Sequence, residues 1–108
     1  MRVGILGLAR SGRSAARLAR ARGYDVFASD AGTADEVLAA AEEIRALGGM
    51  AETGGHTIQQ LAGCDVIVLS PGVPPTAAIL HDPHIARVPR ISELEFAFRE
   101  LRSPVIAI

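Results

Sequence analysis

Short apolar runs alternate along this chain with longer stretches whose apolar residues recur every three or four positions. Residues 3–6 (Val-Gly-Ile-Leu) read as a first strand that runs directly into a glycine-rich turn. A helix follows over about 11–22, with Ala15, Ala16, Leu18 and Ala19 on one face and Arg13, Arg17 and Arg20 on a solvated one, and Gly23 ends it. Residues 24–29 suit a second strand. Thr33 is placed to cap a second helix over 34–47, which Gly48-Gly49 stops. Residues 50–53 form a weak strand and 57–61 a short helix. The clearest strand is 65–69 (Asp-Val-Ile-Val-Leu), nearly continuous in apolar residues, as in a parallel sheet covered on both faces. A Ser-Pro-Gly-Val-Pro-Pro loop and a short helix over 76–80 come next. Ser92 and Glu95 make a capping box for a helix that runs to Leu101, Ser103-Pro104 breaks it, and 105–108 read as a buried strand.

Strands alternating with helices define an α/β protein, a Rossmann-like parallel sheet flanked by helices with right-handed crossovers. In that architecture ligands bind at the carboxyl ends of the strands. Three segments land there: the turn after the first strand, Asp30 after the second, and 70–73 after the 65–69 strand.

Composition narrows the field. The chain has 108 residues and a net charge of −1, so a general nucleic-acid surface is not expected. With three Phe, one Tyr and no Trp, it offers little for base-stacking platforms. No apolar run approaches the roughly 20 residues of a membrane span, and the first residues do not read as a signal peptide. A single cysteine, Cys64, has no internal partner and fits a reducing cytoplasm.

The candidate chemistry follows the same edge. Gly7-x-Ala9-x-x-Gly12 is a dinucleotide fingerprint with alanine in its second glycine position. Backbone N–H groups of the turn and a helix N-terminus around an open mouth attract a phosphate or diphosphate. The same glycines also make a tight strand-to-helix turn without any ligand. Asp30 stands where an acidic residue accepts hydrogen bonds from ribose hydroxyls or a base; it also suits a turn within Ser29-Asp30-Ala31-Gly32. Gly72 allows close backbone approach in a loop stiffened by prolines. His81 and His84 read as a polar loop and His56 as part of a turn. Cys64 is a small residue flanking a strand, and no catalytic group has a convincing partner.

Together, Gly7-Leu-Ala-Arg-Ser-Gly12, Ser29-Asp30, Asp65-Val-Ile-Val-Leu-Ser-Pro-Gly72-Val-Pro, Ile91-Ser-Glu-Leu-Glu95 and Ser103-Pro-Val-Ile-Ala-Ile108 resemble the N-terminal region of the Mur ligases, most of all the MurD type. The resemblance implies an enzyme that uses ATP to join D-glutamate to UDP-N-acetylmuramoyl-L-alanine. It implies a UDP-substrate-binding domain over 1–89, and over 90–108 a helix and strand beginning an ATP-binding domain. Ala9, Arg10 and Ser11 would place backbone amides near the diphosphate, Asp30 would sit near the uracil and Gly72 near the ribose or diphosphate, and Gly7, Gly12, Ala31 and Ser70 would also belong to the site for the UDP moiety. Ala9 replaces a more usual glycine, and Ala31 a frequent hydroxyl residue. ATP and Mg²⁺ are expected elsewhere in a full-length enzyme, since this chain contains no lysine for a phosphate-binding loop; this stretch alone is expected not to turn over. Two other readings stand beside it: an NAD(H)-binding module of a dehydrogenase or sensor, and a structural piece that binds nothing alone.

Overall fold

A computed structural model describes residues 1–8, 10–74 and 77–101. Five strands, β1 (Arg2–Leu6), β2 (Asp25–Asp30), β3 (Met50–Thr53), β4 (Val66–Leu69) and β5 (Arg90–Ser92), form one sheet in the order β3-β2-β1-β4-β5. Every pairing is parallel. The helices are α1 (Arg10–Ala21), α2 (Asp35–Ala46), α3 (Ile58–Ala62), α4 (Pro83–Ala86) and α5 (Glu93–Leu101).

The alternation of strand side chains divides the core in two. Val3, Ile5, Val26, Ala28, Val66 and Val68 pack with Ala15, Ala16 and Ala19 of α1, Val37, Ala40, Ala41 and Ile44 of α2, and Phe96 of α5. Leu6, Phe27 and Ile67 face the other way, onto Leu61, Cys64, Leu80, Ile85 and Val88. Alanine dominates the inner face of α1, which lets that helix lie close over β1. Gly4 is required on the second face: a Cβ there would stand 2.9 Å from the Cys64 sulfur. Burial pushes the Cys64 thiol above its ordinary value, which keeps it an inert packing group.

Several local expectations need correction. Thr33 does not cap α2; Ala34 occupies that position and makes no side-chain cap. The helix start draws on Asp35 and Glu36 in its first turn, whose charges oppose the helix dipole. Arg13, Arg17 and Arg20 are not merely a solvated face. Arg17 Nε donates to Glu43 at 2.5 Å, Arg13 pairs with the same carboxylate at 3.6 Å, and Arg20 Nε donates to the Leu47 carbonyl at 2.9 Å. These contacts bind α1 to α2, and their partners lie too far along the chain for helical periodicity to reveal. The His81–His84 stretch contains a turn of helix: Asp82 accepts the His84 amide at 2.8 Å and caps α4, with Pro83 at its first position.

The expected division at 89/90 falls inside one sheet. β5 pairs with β4, and Phe96 of α5 is 2 % exposed within the main core. Tyr24 hydroxyl donates to Glu100 at 2.9 Å, and Arg22 also bonds Glu100, so α5 is tied to the end of α1. Ser92 does cap α5, accepting the Glu95 amide at 3.0 Å. The strand expected over 105–108, and residue 76 of the expected 76–80 helix, lie outside the described residues. Within that helix's span, Ala78–His81 form a 3-10 turn. No helix among the described residues is long and apolar enough to cross a membrane.

Candidate functional site

The sheet order reverses at β1, so the crevice between the carboxyl ends of β1 and β4 is the place where such a fold receives a ligand. A cavity of about 290 Å³ opens there. Gly7, Asp30, Ala31, Ser70 and Gly72 all line it, together with His56 and the apolar side chains of Leu6, Val73, Ala77 and Ile79. The three segments singled out from the sequence therefore meet at one mouth.

Each arrives there for a local reason. Gly7 has φ near +91°, a conformation suited to glycine, and a Cβ there would stand 2.6 Å from Ser70 Cβ. The close approach of the β1 and β4 loops depends on that missing side chain. Gly12 serves the same turn from behind, since a Cβ there would come within 2.2 Å of the Gly7 carbonyl oxygen. Ser70 is buried and its amide donates to Leu6 at 3.0 Å; its carbonyl accepts the Val73 amide at 3.0 Å, folding the 70–73 loop back over the cavity. Among the described residues, no atom comes within 4 Å of a Cβ built on Gly72. No neighbour among the described residues requires a glycine there.

The turn's own amides are less free than expected. Gly7 N–H donates to the Ser29 carbonyl at 3.0 Å, and Leu8 N–H donates to Asp30 Oδ2 at 2.8 Å. Asp30 Oδ1 takes the Gly32 amide at 2.7 Å, an Asx turn. Asp30 is thus first a brace between two loops, and its half-exposed carboxylate keeps lone pairs for a ligand. Ala9 lies outside the described residues. Arg10, Ser11 and Gly12 form the first turn of α1, where helix geometry leaves amides without intrahelical acceptors.

Sequence reasoning missed the network behind His56. Ser29, fully buried on β2, sits opposite Glu52 in the β2–β3 register. Its hydroxyl lies 2.9 Å from Glu52 Oε2, 3.2 Å from the Gly55 carbonyl and 2.6 Å from His56 Nδ1. Glu52 also accepts the Thr57 amide and hydroxyl, each at 2.6 Å. Burial pushes the Glu52 carboxyl up, but the bonds from Thr57 and Ser29 and the nearby His56 outweigh it and hold it below its ordinary value. The available signal was positional: Gly54-Gly55-His56 follows a parallel strand, and every such segment lands at the ligand edge.

Residues 2–79 match the MurD N-terminal domain family. The chain belongs to this family. Among curated relatives of the MurD domain, UDP-N-acetylmuramoylalanine--D-glutamate ligase of Myxococcus xanthus is 40% identical over 97 residues, covering 90% of this chain and 21% of that protein. The same ligase of Desulfatibacillum aliphaticivorans is 33% identical over 103 residues, covering 95% and 23%. The chain thus spans less than a quarter of these relatives' length. The fold matches a murein peptide ligase of Psychrobacter arcticus with a TM-score of 0.73 at 24% identity, over 89% of this chain and 20% of that one. MurC of Thermotoga maritima gives 0.66 at 22%, over 94% and 23%.

Proposed function

We propose that this chain is the substrate-binding domain of a D-glutamate-adding ligase and holds the uridine diphosphate end of UDP-N-acetylmuramoyl-L-alanine. The observation that carries this is the convergence of Gly7, Asp30, Ala31, Ser70 and Gly72 on one cavity, in a chain of the MurD N-terminal domain family. The uridine enters that cavity, between the apolar side chains of Val73, Ala77 and Ile79 and the polar edge formed by Asp30 and His56. The diphosphate turns toward the first turn of α1, whose Arg10, Ser11 and Gly12 amides complement its charge; Ala9 belongs to the same stretch. Gly72 borders the open side, where added bulk would meet the ligand before it met the protein.

The complete reaction in this proposal forms an amide between the substrate carboxylate and D-glutamate, driven by ATP with Mg²⁺. The residues present do not fit an ATP site: the chain contains no lysine, and no described cluster of three His, Cys, Asp or Glu side chains is placed to hold a metal. ATP, Mg²⁺ and the catalytic groups are therefore assigned to parts of a protein of the relatives' length beyond these 108 residues, and the 108 residues alone to binding without turnover. The protein acts in the cytoplasm in this reading, in keeping with its lone buried thiol.

Calorimetric titration of the chain with UDP-N-acetylmuramoyl-L-alanine, UDP, NADH and ATP tests the reading. Binding of the first two and not of the others is expected. Binding of NADH alone would reassign the domain to dinucleotide recognition, and binding of none would leave it a scaffold.

A further inference from the structure

The hydrogen bonds behind the cavity fix where one proton resides. Ser29 has a single hydroxyl proton and three polar neighbours: Glu52 Oε2 at 2.9 Å, the Gly55 carbonyl at 3.2 Å and His56 Nδ1 at 2.6 Å. Both oxygens are acceptors only, because Glu52 is an ionised carboxylate already receiving the Thr57 amide and hydroxyl. If Ser29 gave its proton to His56, its oxygen would face two further oxygens with nothing between them. The arrangement is satisfied when Ser29 donates to an oxygen and His56 Nδ1–H donates to Ser29. In neutral His56 the other ring nitrogen, Nε2, is then an unprotonated acceptor.

Resting on the uridine reading above, we propose that His56 is the base-selecting residue of the cavity, accepting the imide N3–H of uracil at Nε2. Ser29 and Glu52 are positioning residues that hold it in that tautomer. His56 lines the cavity while its Nδ1 is anchored to a fully buried hydroxyl, so what it offers a ligand is its other edge. The apolar and acidic side chains of the described lining favour a base over a phosphate beside His56. Leu6, Val73, Ala77 and Ile79 suit a flat ring, and the Asp30 carboxylate repels an anion. Cytosine, whose N3 carries a lone pair where uracil carries a proton, would set acceptor against acceptor. A site built to receive a donor rejects the analogue lacking it much more strongly than it would reject a change of shape alone.

Two measurements on the 108-residue chain test this. Long-range ¹H–¹⁵N correlation at a pH where the imidazole is neutral reports the tautomer without any substitution. Nδ1–H is expected for His56, and an Nε2–H ring would overturn the proposal. Titration with UDP and CDP then reads selectivity. The unaltered chain should prefer UDP by about tenfold or more, and His56→Phe should weaken UDP about tenfold and bring the ratio near one. Ser29→Ala, checked for folding by circular dichroism, should lower the ratio and shift the His56 nitrogens toward the mixed tautomers of a free imidazole. Equal affinity of the unaltered chain for both nucleotides, or an unchanged ratio in His56→Phe, overturns the role of His56 while leaving uridine binding in place. Absence of binding to either nucleotide overturns both readings together.

Discussion

The Asp30 carboxylate holds the Leu8 amide at 2.8 Å across the mouth of the cavity, and its second oxygen holds the Gly32 amide at 2.7 Å. One side chain at the end of β2 therefore sets the position of the glycine-rich turn after β1 and of its own following loop. Ligand recognition and loop geometry share this residue, so neither can be altered alone.

Asp30→Ala should lower stability by about 1–3 kcal/mol, the range for leaving hydrogen-bonding groups unpaired. Asp30→Asn should rescue only part of this, because the amide side chain presents one oxygen and turns an NH₂ toward the other donor. Urea unfolding of the three proteins measures it. A midpoint unmoved in Asp30→Ala would mean that Leu8 and Gly32 are satisfied without the carboxylate.

Gly7 and Gly72 line the same cavity and should respond in opposite ways. Gly7→Ala combines a positive φ with a Cβ 2.6 Å from Ser70 Cβ, so it should cost about 2 kcal/mol or more and draw the β1 and β4 loops apart. Gly72→Ala meets no atom of the described residues within 4 Å and should change the melting temperature little. If the ligand passes over Gly72 as proposed, that substitution should instead weaken UDP binding. Thermal melts and UDP titration of both variants separate the two effects.

Much of this arrangement was legible in the sequence, and the exceptions have physical causes. The unbroken apolar run Val66-Ile67-Val68 announces a strand buried on both faces, and the glycines after β1 announce the turn. β5 was invisible because Arg90-Ile91-Ser92 is too short and too polar for a periodic signal; it exists through its pairing with β4. The position of Asp30 could be read directly, but its two bonds depend on a turn brought near by the parallel sheet. Arg17 announces an exposed helix face, yet Glu43 comes from another helix. His56 carries no local pattern, and its partners Ser29 and Glu52 meet only through the β2–β3 register.

Glu52 should make the chain sensitive to acid. Its carboxyl is held below its ordinary value, so its ionised form is favoured in the folded protein. The stability this gives is complete above the carboxylate's unfolded value near 4.5 and is lost as pH falls through the lower folded one. Glu52→Gln removes that titration. Melting temperatures between pH 7 and pH 3 should therefore fall less steeply below about pH 4.5 in the variant. Parallel curves would show that Glu52 is not a source of the acid response.

Phe96 decides whether residues 90–101 are an appendage or part of the folding unit. It is 2 % exposed and packs in the cluster that contains Val3, Ile5, Ala15 and Val68, while the polar ties of α5 run from Glu100 to Tyr24 and Arg22. Removing a buried phenylalanine side chain costs about 3–5 kcal/mol, because transfer and cavity terms add. If α5 were a separate element resting on a finished sheet, Phe96→Ala would release it locally and leave the transition of the rest unchanged. A shared core instead requires the whole chain to lose stability together. Urea unfolding followed both by far-ultraviolet circular dichroism and by amide exchange at Val3, Ile5 and Val68 distinguishes these outcomes. The expected result is one coincident transition, shifted to lower urea at every probe. Loss of protection confined to α5, with β1 and β4 unaffected, would place the boundary of the unit before Arg90.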